Sequence, residues 1–154
     1  MENDMMTVLL VQPGKHPVEI TIPHTLKELQ KQVGGTIEIV YPWPDRSVGL
    51  VCHDEGKLLG LPLNRALPEI GDAIAGDFLL CGLCDTEDGG SLCSLPPEQM
   101  SYMKQHFREP HFFIESAEGN DYFRVTPKVY DNLMGNYVDK KVSMYSILCA
   151  FFSL

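Results

Sequence analysis

PVEITIPHTLKELQKQVGGTIEIVY, Pro17 to Tyr41, changes its hydrophobic period twice, and those changes decide the fold. Val18, Ile20 and Ile22 alternate with polar residues, the period-two signature of a half-buried strand. Thr25 followed by Glu28 forms a capping box, and Leu26, Leu29 and Val33 then fall on one stripe of a helix. Gly34-Gly35 stops that helix, the first glycine supplying the left-handed cap. Thr36-Ile-Glu-Ile-Val-Tyr resumes as a strand and ends at Pro42-Trp43-Pro44. Upstream, Met6 to Gln12 is a further strand, and Pro13-Gly14 turns it into a hairpin with the strand from Val18. Strand, strand, helix, strand opens an α+β domain. The expectation is a small mixed sheet, β-grasp-like, with packed helices.

Outward from this stretch, Ser47–Cys52 and Lys57–Pro62 read as strands facing each other across a tight turn, His53-Asp54-Glu55-Gly56. Ala73 to Gly82 is apolar and punctuated by glycine, as in a central strand entered through a loop or bulge. Asp85 to Ser94 has loop composition, and a helix follows from Pro96 to about His106. His111–Ser116 and Asp121–Val125 form a second hairpin, and Thr126 caps a helix over Pro127–Met134. The closing VSMYSILCAFFSL, Val142 to Leu154, is apolar but short and broken by serines. It reads as a helix that packs on the core or on a partner, and no segment is long enough to span a bilayer.

With 154 residues the chain has the size of one ordinary domain. Its net charge of −9 and lack of any Lys/Arg-rich run argue against direct contact with nucleic acid, where phosphates call for clustered cations. The opening MENDMMTVLLVQP is acidic where a secretory leader would be basic, so a cytoplasmic location is expected. Five cysteines, an odd number, then suggest free thiols in a reducing compartment. Cys81 and Cys84 have the spacing of a zinc knuckle, with Cys93 and His53 as the other corners. The paired spacing does not repeat, however, so neither a metal nor a cofactor is expected.

Catalytic patterns find no positive support. The chain has no phosphate loop and no HExxH spacing, and Asp54 and Glu55 are adjacent and so point apart. Binding has more behind it. Gly34 and Gly35 allow a ligand near backbone, Trp43 offers a face for stacking, and Asn64 and Arg65 pair an amide with a forked cation. Glu38 and Tyr41, three apart, lie on opposite faces of a regular strand and converge on a ligand only if the chain bends. Each group also has an ordinary reading: Tyr41 in the core, Asn64 in a turn, Arg65 on the surface paired with Asp72.

GGTIEIVYPWPD, VGLVCHDEGKLLGLPLNRAL, AIAGDFLLCGL and SLPPEQMSYMKQHF together resemble a small bacterial and phage family, the domain of unknown function numbered 3846. The resemblance covers roughly residues 6–107, which divides the chain into a family-like part, 1–107, and an extension, 108–154, packed on it or merged with it in one domain. Matching positions include Gly34, Gly35, Glu38, Tyr41, Lys57, Asn64 and Arg65. The knuckle cysteines depart from the pattern. What the resemblance implies is a phage or mobile-element setting. With the residue chemistry above, the expected role is a non-enzymatic accessory protein that sequesters a small phosphorylated ligand, such as a nucleotide-derived immune signal. Its ligand groups would be Gly34, Gly35, Glu38, Tyr41, Trp43, Lys57, Asn64 and Arg65. Two other readings stay open: an inhibitor or adaptor that caps a host protein, and a hydrolase of the same ligand. Apolar segments and open strand edges suggest a homodimer or higher oligomer.

Overall fold

The computed structural model describes residues 4–44, 47–86, 89–116 and 119–140. The elements run β1 (Met5–Val11), β2 (Val18–Pro23), α1 (Leu26–Val33), β3 (Ile37–Val40), β4 (Val48–His53), β5 (Leu63–Leu67), β6 (Asp72–Ala75), β7 (Phe78–Thr86), β8 (Gly89–Cys93), α2 (Pro97–His106), β9 (His111–Ser116), β10 (Gly119–Arg124) and α3 (Pro127–Lys140). A main sheet has the order β2-β1-β7-β4-β3, and β8 also pairs with β7. Gly82 pairs with Val48 of β4 on one side and Cys93 of β8 on the other. β8 therefore lies end to end with β1 along the same edge of β7. Two hairpins, β5–β6 and β9–β10, stand apart from this sheet.

The α+β class and the β-β-α-β opening are those expected from sequence. Every described strand pair is antiparallel, however, including β1 with β7, so the sheet is not the mixed one anticipated. Thr25 caps α1 through its hydroxyl, which accepts from the Glu28 N–H at 3.1 Å, and Gly34 ends it at φ 86°. Only half of the capping box forms. The Glu28 carboxylate takes the Gln32 amide at 2.8 Å, and the Thr25 N–H goes to the Pro23 carbonyl.

Both faces of the sheet are covered, which explains why its inner strands read as nearly continuous apolar runs. Met6 and Val8 of β1, Val51 of β4 and Leu79 and Cys81 of β7 pack against α1 residues Leu29 and Val33. The alternate residues, Leu9, Val11, Leu50, Phe78 and Leu80, pack on the opposite side with Met100, Met103 and Phe107 of the α2 segment and with Leu67 and Ile74 of the β5–β6 hairpin. A third cluster of Phe112, Val125 and Leu133 joins β9–β10 to α3. α3 also rests on the β1–β2 turn. Gly14 there takes φ 75°, and a Cβ at that position would overlap the Tyr130 ring.

Three expectations are corrected. Lys57 to Pro62 is not a strand: Leu59 N–H bonds Glu55 O, Gly60 N–H bonds Lys57 O and Leu61 N–H bonds Gly56 O, curling the segment into consecutive turns. The strand comes later, as β5, and it contains Asn64 and Arg65. Asp85 to Ser94 is not a loop, because β7 runs on to Thr86 and β8 returns along it. Cys84 and Cys93 are joined by a disulfide across that pair, so not all the cysteines are free thiols; Cys52 and Cys81 are free and buried. The apolar segment Val142–Leu154 lies outside the described residues. Among the described residues, no helix is long and apolar enough to cross a membrane.

Candidate functional site

Asn64 and Arg65 show how β5 is held. Both are 0 % exposed. The Asn64 amide donates to the carbonyls of Val11 at 2.9 Å and Gly76 at 2.8 Å. Arg65 Nε and Nη2 both donate to the Phe107 carbonyl, at 3.3 and 2.9 Å. Nη2 also reaches Lys15 O at 2.7 Å, and Nη1 reaches Gln12 O at 3.3 Å and the Asn64 side-chain oxygen at 2.9 Å. The fork thus ties the β1–β2 turn and the end of α2 to β5. Burial lowers the Arg65 pKa to about 10, with the nearby Tyr130 acting in the opposite direction, so the group stays charged at neutral pH. Both side chains are enclosed, their polar atoms engaged by these bonds. The surface pairing of Arg65 with Asp72 is also absent, because Asp72 pairs with Lys57.

The other expected ligand groups are dispersed. Trp43 is half-buried, packs edge-on to Phe107 and donates its indole N–H to Glu69 at 3.1 Å. Glu38, in β3, and Tyr41, one residue past its end, face different clefts. Glu38 lines a small cleft of about 280 Å³ with Lys57, and Tyr41 lines a groove with Leu83 and Cys84. Gly35 is pressed against the His53 ring. The N–H groups of Gly34 and Gly35 both bond Gln30 O, so the Gly-Gly pair is a helix cap and offers no donors to an anion. The four groups weighed as a metal site are not assembled either. Cys84 and Cys93 are bonded to each other, and Cys81 is buried in β7. His53 Nδ1 accepts from the Glu55 N–H, and among the described residues no group of His, Cys, Asp and Glu is placed to hold a metal ion.

The largest cleft among the described residues, about 650 Å³, lies where the β5–β6 hairpin meets β9–β10. Leu61, Leu63, Ala66 and Pro68 line it from the β5 side and Phe113 and Tyr122 from β9–β10, and Lys57 and Asp72, which also line the small cleft, contribute as well. Phe113 and Tyr122 are directly cross-strand partners. Behind them the His111 ring stacks on Tyr122 at 4.6 Å and 23°. His111 Nδ1 accepts the Ala66 N–H at 3.0 Å, fixing the hairpin to β5. That bond places the proton of the neutral ring on Nε2. Burial, and then the charges of Arg65, Arg124 and His106, lower the His111 pKa to about 4.

Leu61 also lines a third cleft, of about 530 Å³, so the two adjoin there. Its distinguishing feature is charge: Lys15 and Lys31 line it with Gln12, Gln32 and Gly34, and Asp77 is its one carboxylate. Gln12 Nε2 donates to Asp77 at 3.1 Å. Two ammonium groups against one carboxylate favour an anion here. In the small cleft, four carboxylates against Lys57 disfavour one.

Sequence reasoning missed Phe113, Tyr122, Lys15, Lys31 and Leu61. The hairpin did carry a signal: Phe112 and Phe113 are adjacent on a strand and must point to opposite faces, so one is left for something other than the hairpin's own core.

A family model described as Domain of unknown function (DUF3846) matches residues 6–108. No curated protein and no solved structure matches the chain. The aromatic wall of the largest cleft, on β9 and β10, lies beyond the matched segment.

Proposed function

The chain belongs to the DUF3846 family, and we propose that this member binds and withholds a small phosphorylated ligand, of nucleotide type, without altering it. One observation carries the reading: an aromatic-walled cleft adjoins a lysine-bearing one at Leu61. A planar ring stacks against Tyr122 and Phe113 and buries its faces among Leu61, Leu63 and Pro68. Its phosphate extends past Leu61 to Lys15 and Lys31. The volume suits a ring of this kind, since small-molecule clefts are about 300–1,000 Å³. In a phage or mobile-element setting, such retention removes a nucleotide-derived signal from a defence system. Assembly of two copies leaves the reading unchanged.

The test is calorimetry of the full chain against a panel of nucleoside monophosphates, diphosphates and cyclic dinucleotides, with chromatography of the recovered ligand. At least one member binds and returns intact. Tyr122→Ala weakens it by about tenfold, as expected for the loss of one base–aromatic stack. Lys15→Gln with Lys31→Gln weakens the phosphorylated form and not the free nucleoside. Absence of binding across the panel, or equal binding by these variants, overturns the proposal, and a hydrolysed ligand replaces it with the enzymatic reading.

A further inference from the structure

The small cleft beside Lys57 is unsuited to that ligand and has a character of its own. Its carboxylates come from β3 (Glu38), the turn after β4 (Asp54, Glu55) and β6 (Asp72). Asp72 is held by Lys57 and by the Ala73 N–H, and Asp54 accepts the Thr36 hydroxyl at 2.5 Å. Among the described residues, Glu38 and Glu55 have no hydrogen-bond or ion-pair partner for their carboxylates. The field reaches the floor. Cys52 there has its thiol pushed up to about 11, by burial first and then by Glu38, Asp54 and Asp72, against the opposing charge of Lys57.

The rim is apolar and uncovered. Leu58 is 84 % exposed and Ile70 41 %, both lining the cleft, and the neighbouring Leu59 is 62 % exposed. The fold does not account for these leucines, since the turns that carry them close through backbone bonds. Adjoining exposed apolar side chains of this size mark an interaction surface.

We infer that this cleft docks a segment of a partner protein that presents one basic side chain, Arg or Lys, between apolar neighbours. The basic head enters between Glu38 and Glu55, where charge complementarity selects it. The flanking apolar side chains cover Leu58, Leu59 and Ile70. A metal ion is the wrong occupant, because the carboxylates are not grouped to coordinate one among the described residues. A second copy of the chain, itself at −9, is repelled.

Selection of a random heptapeptide library on the full-length protein tests this, followed by fluorescence anisotropy with a selected peptide. The selected peptides share a single Arg or Lys flanked by apolar residues. Replacing that residue by citrulline or norleucine weakens binding about tenfold, and the double variant Glu38→Gln/Glu55→Gln does the same with its melting temperature unchanged. Added salt weakens the wild-type complex. Leu58→Ser abolishes selection, while Lys57→Gln tightens binding several-fold because it removes the opposing cation. Peptides without a shared basic residue, or binding indifferent to Glu38 and Glu55, overturn the inference. Sedimentation as a dimer that Leu58→Ser dissociates also overturns it, in favour of a second copy. No nucleotide is present in these measurements, so their failure leaves the ligand proposal standing, and the reverse holds too.

Discussion

Arg65 sits where a buried cation has no carboxylate among the described residues, and it is stabilised by distributing its donors over backbone oxygens of Gln12, Lys15 and Phe107. Those carbonyls belong to segments 42 to 53 residues away in the chain. Local sequence offers no sign of such partners, and so a polar pair inside NRAL reads as a turn or a surface site. Removing the fork strands several buried acceptors at once, each at a cost of roughly 1–3 kcal/mol. Arg65→Met should therefore lower stability by about 3–5 kcal/mol in urea titration, a magnitude reserved for broken buried networks. Arg65→Lys keeps the charge, loses the planar fork and should recover only part of that loss. A variant of wild-type stability would show that water or backbone movement satisfies the freed carbonyls. The same burial removes Arg65 from consideration as a ligand group, and the aromatic and lysine groups that line the clefts come from segments that no short motif connects.

Among the elements, α1 was legible because everything that defines it is local: Thr25 before it, its apolar stripe, and Gly34 after it. β1, β2, α2 and the β9–β10 hairpin were legible for similar reasons. The failures fall where pairing is decided at a distance. Lys57 to Pro62 has the apolar content of a strand, yet Leu58 and Leu59 point to solvent. β8 has the glycine and serine composition of a loop. It becomes a strand because β7 offers an edge beyond the end of β1, and Leu95 N–H and Thr7 O close the junction at 2.9 Å. Just there the chain crosses over Gly82 on its way to α2: a Cβ at Gly82 would run into the Ser94 carbonyl oxygen and lie 3.2 Å from Pro96 Cδ. Gly82→Ala must push backbone against backbone, and a cost of about 1–3 kcal/mol is expected for forcing atoms into packed space. Thermal unfolding measures it. An unchanged midpoint would mean that β8 shifts freely along β7.

For the molecule as a whole, the region beyond the family match is packed onto the body by His111 on Ala66 and Tyr130 on Gly14, and a hydrogen bond between the His16 ring and the carbonyl of Arg108, the last matched residue, at 2.7 Å holds the start of that region. His111 makes this docking sensitive to acid. Its folded pKa of about 4 lies below the ordinary 6.5. As pH falls through 6.5 the unfolded chain takes up the proton first, so stability declines from there down to about pH 4 and levels off once the folded ring titrates too. The loss is on the order of 3 kcal/mol. Denaturation at stepped pH should show that decline, and His111→Gln, which keeps an acceptor for Ala66, should remove its share. A variant that follows the wild-type curve would assign the acid sensitivity to other groups. The main sheet adds a constraint on that experiment. β2 and β3 are its outer strands, each paired on one side only among the described residues. At neutral pH a charge of −9 opposes contact between copies of the chain, but the isoelectric point is about 4.9. Colloidal repulsion thus vanishes inside the window in which His111 titrates. Strand edges left unpaired by the described residues then meet without an electrostatic barrier, and precipitation competes with reversible unfolding unless the protein is kept dilute.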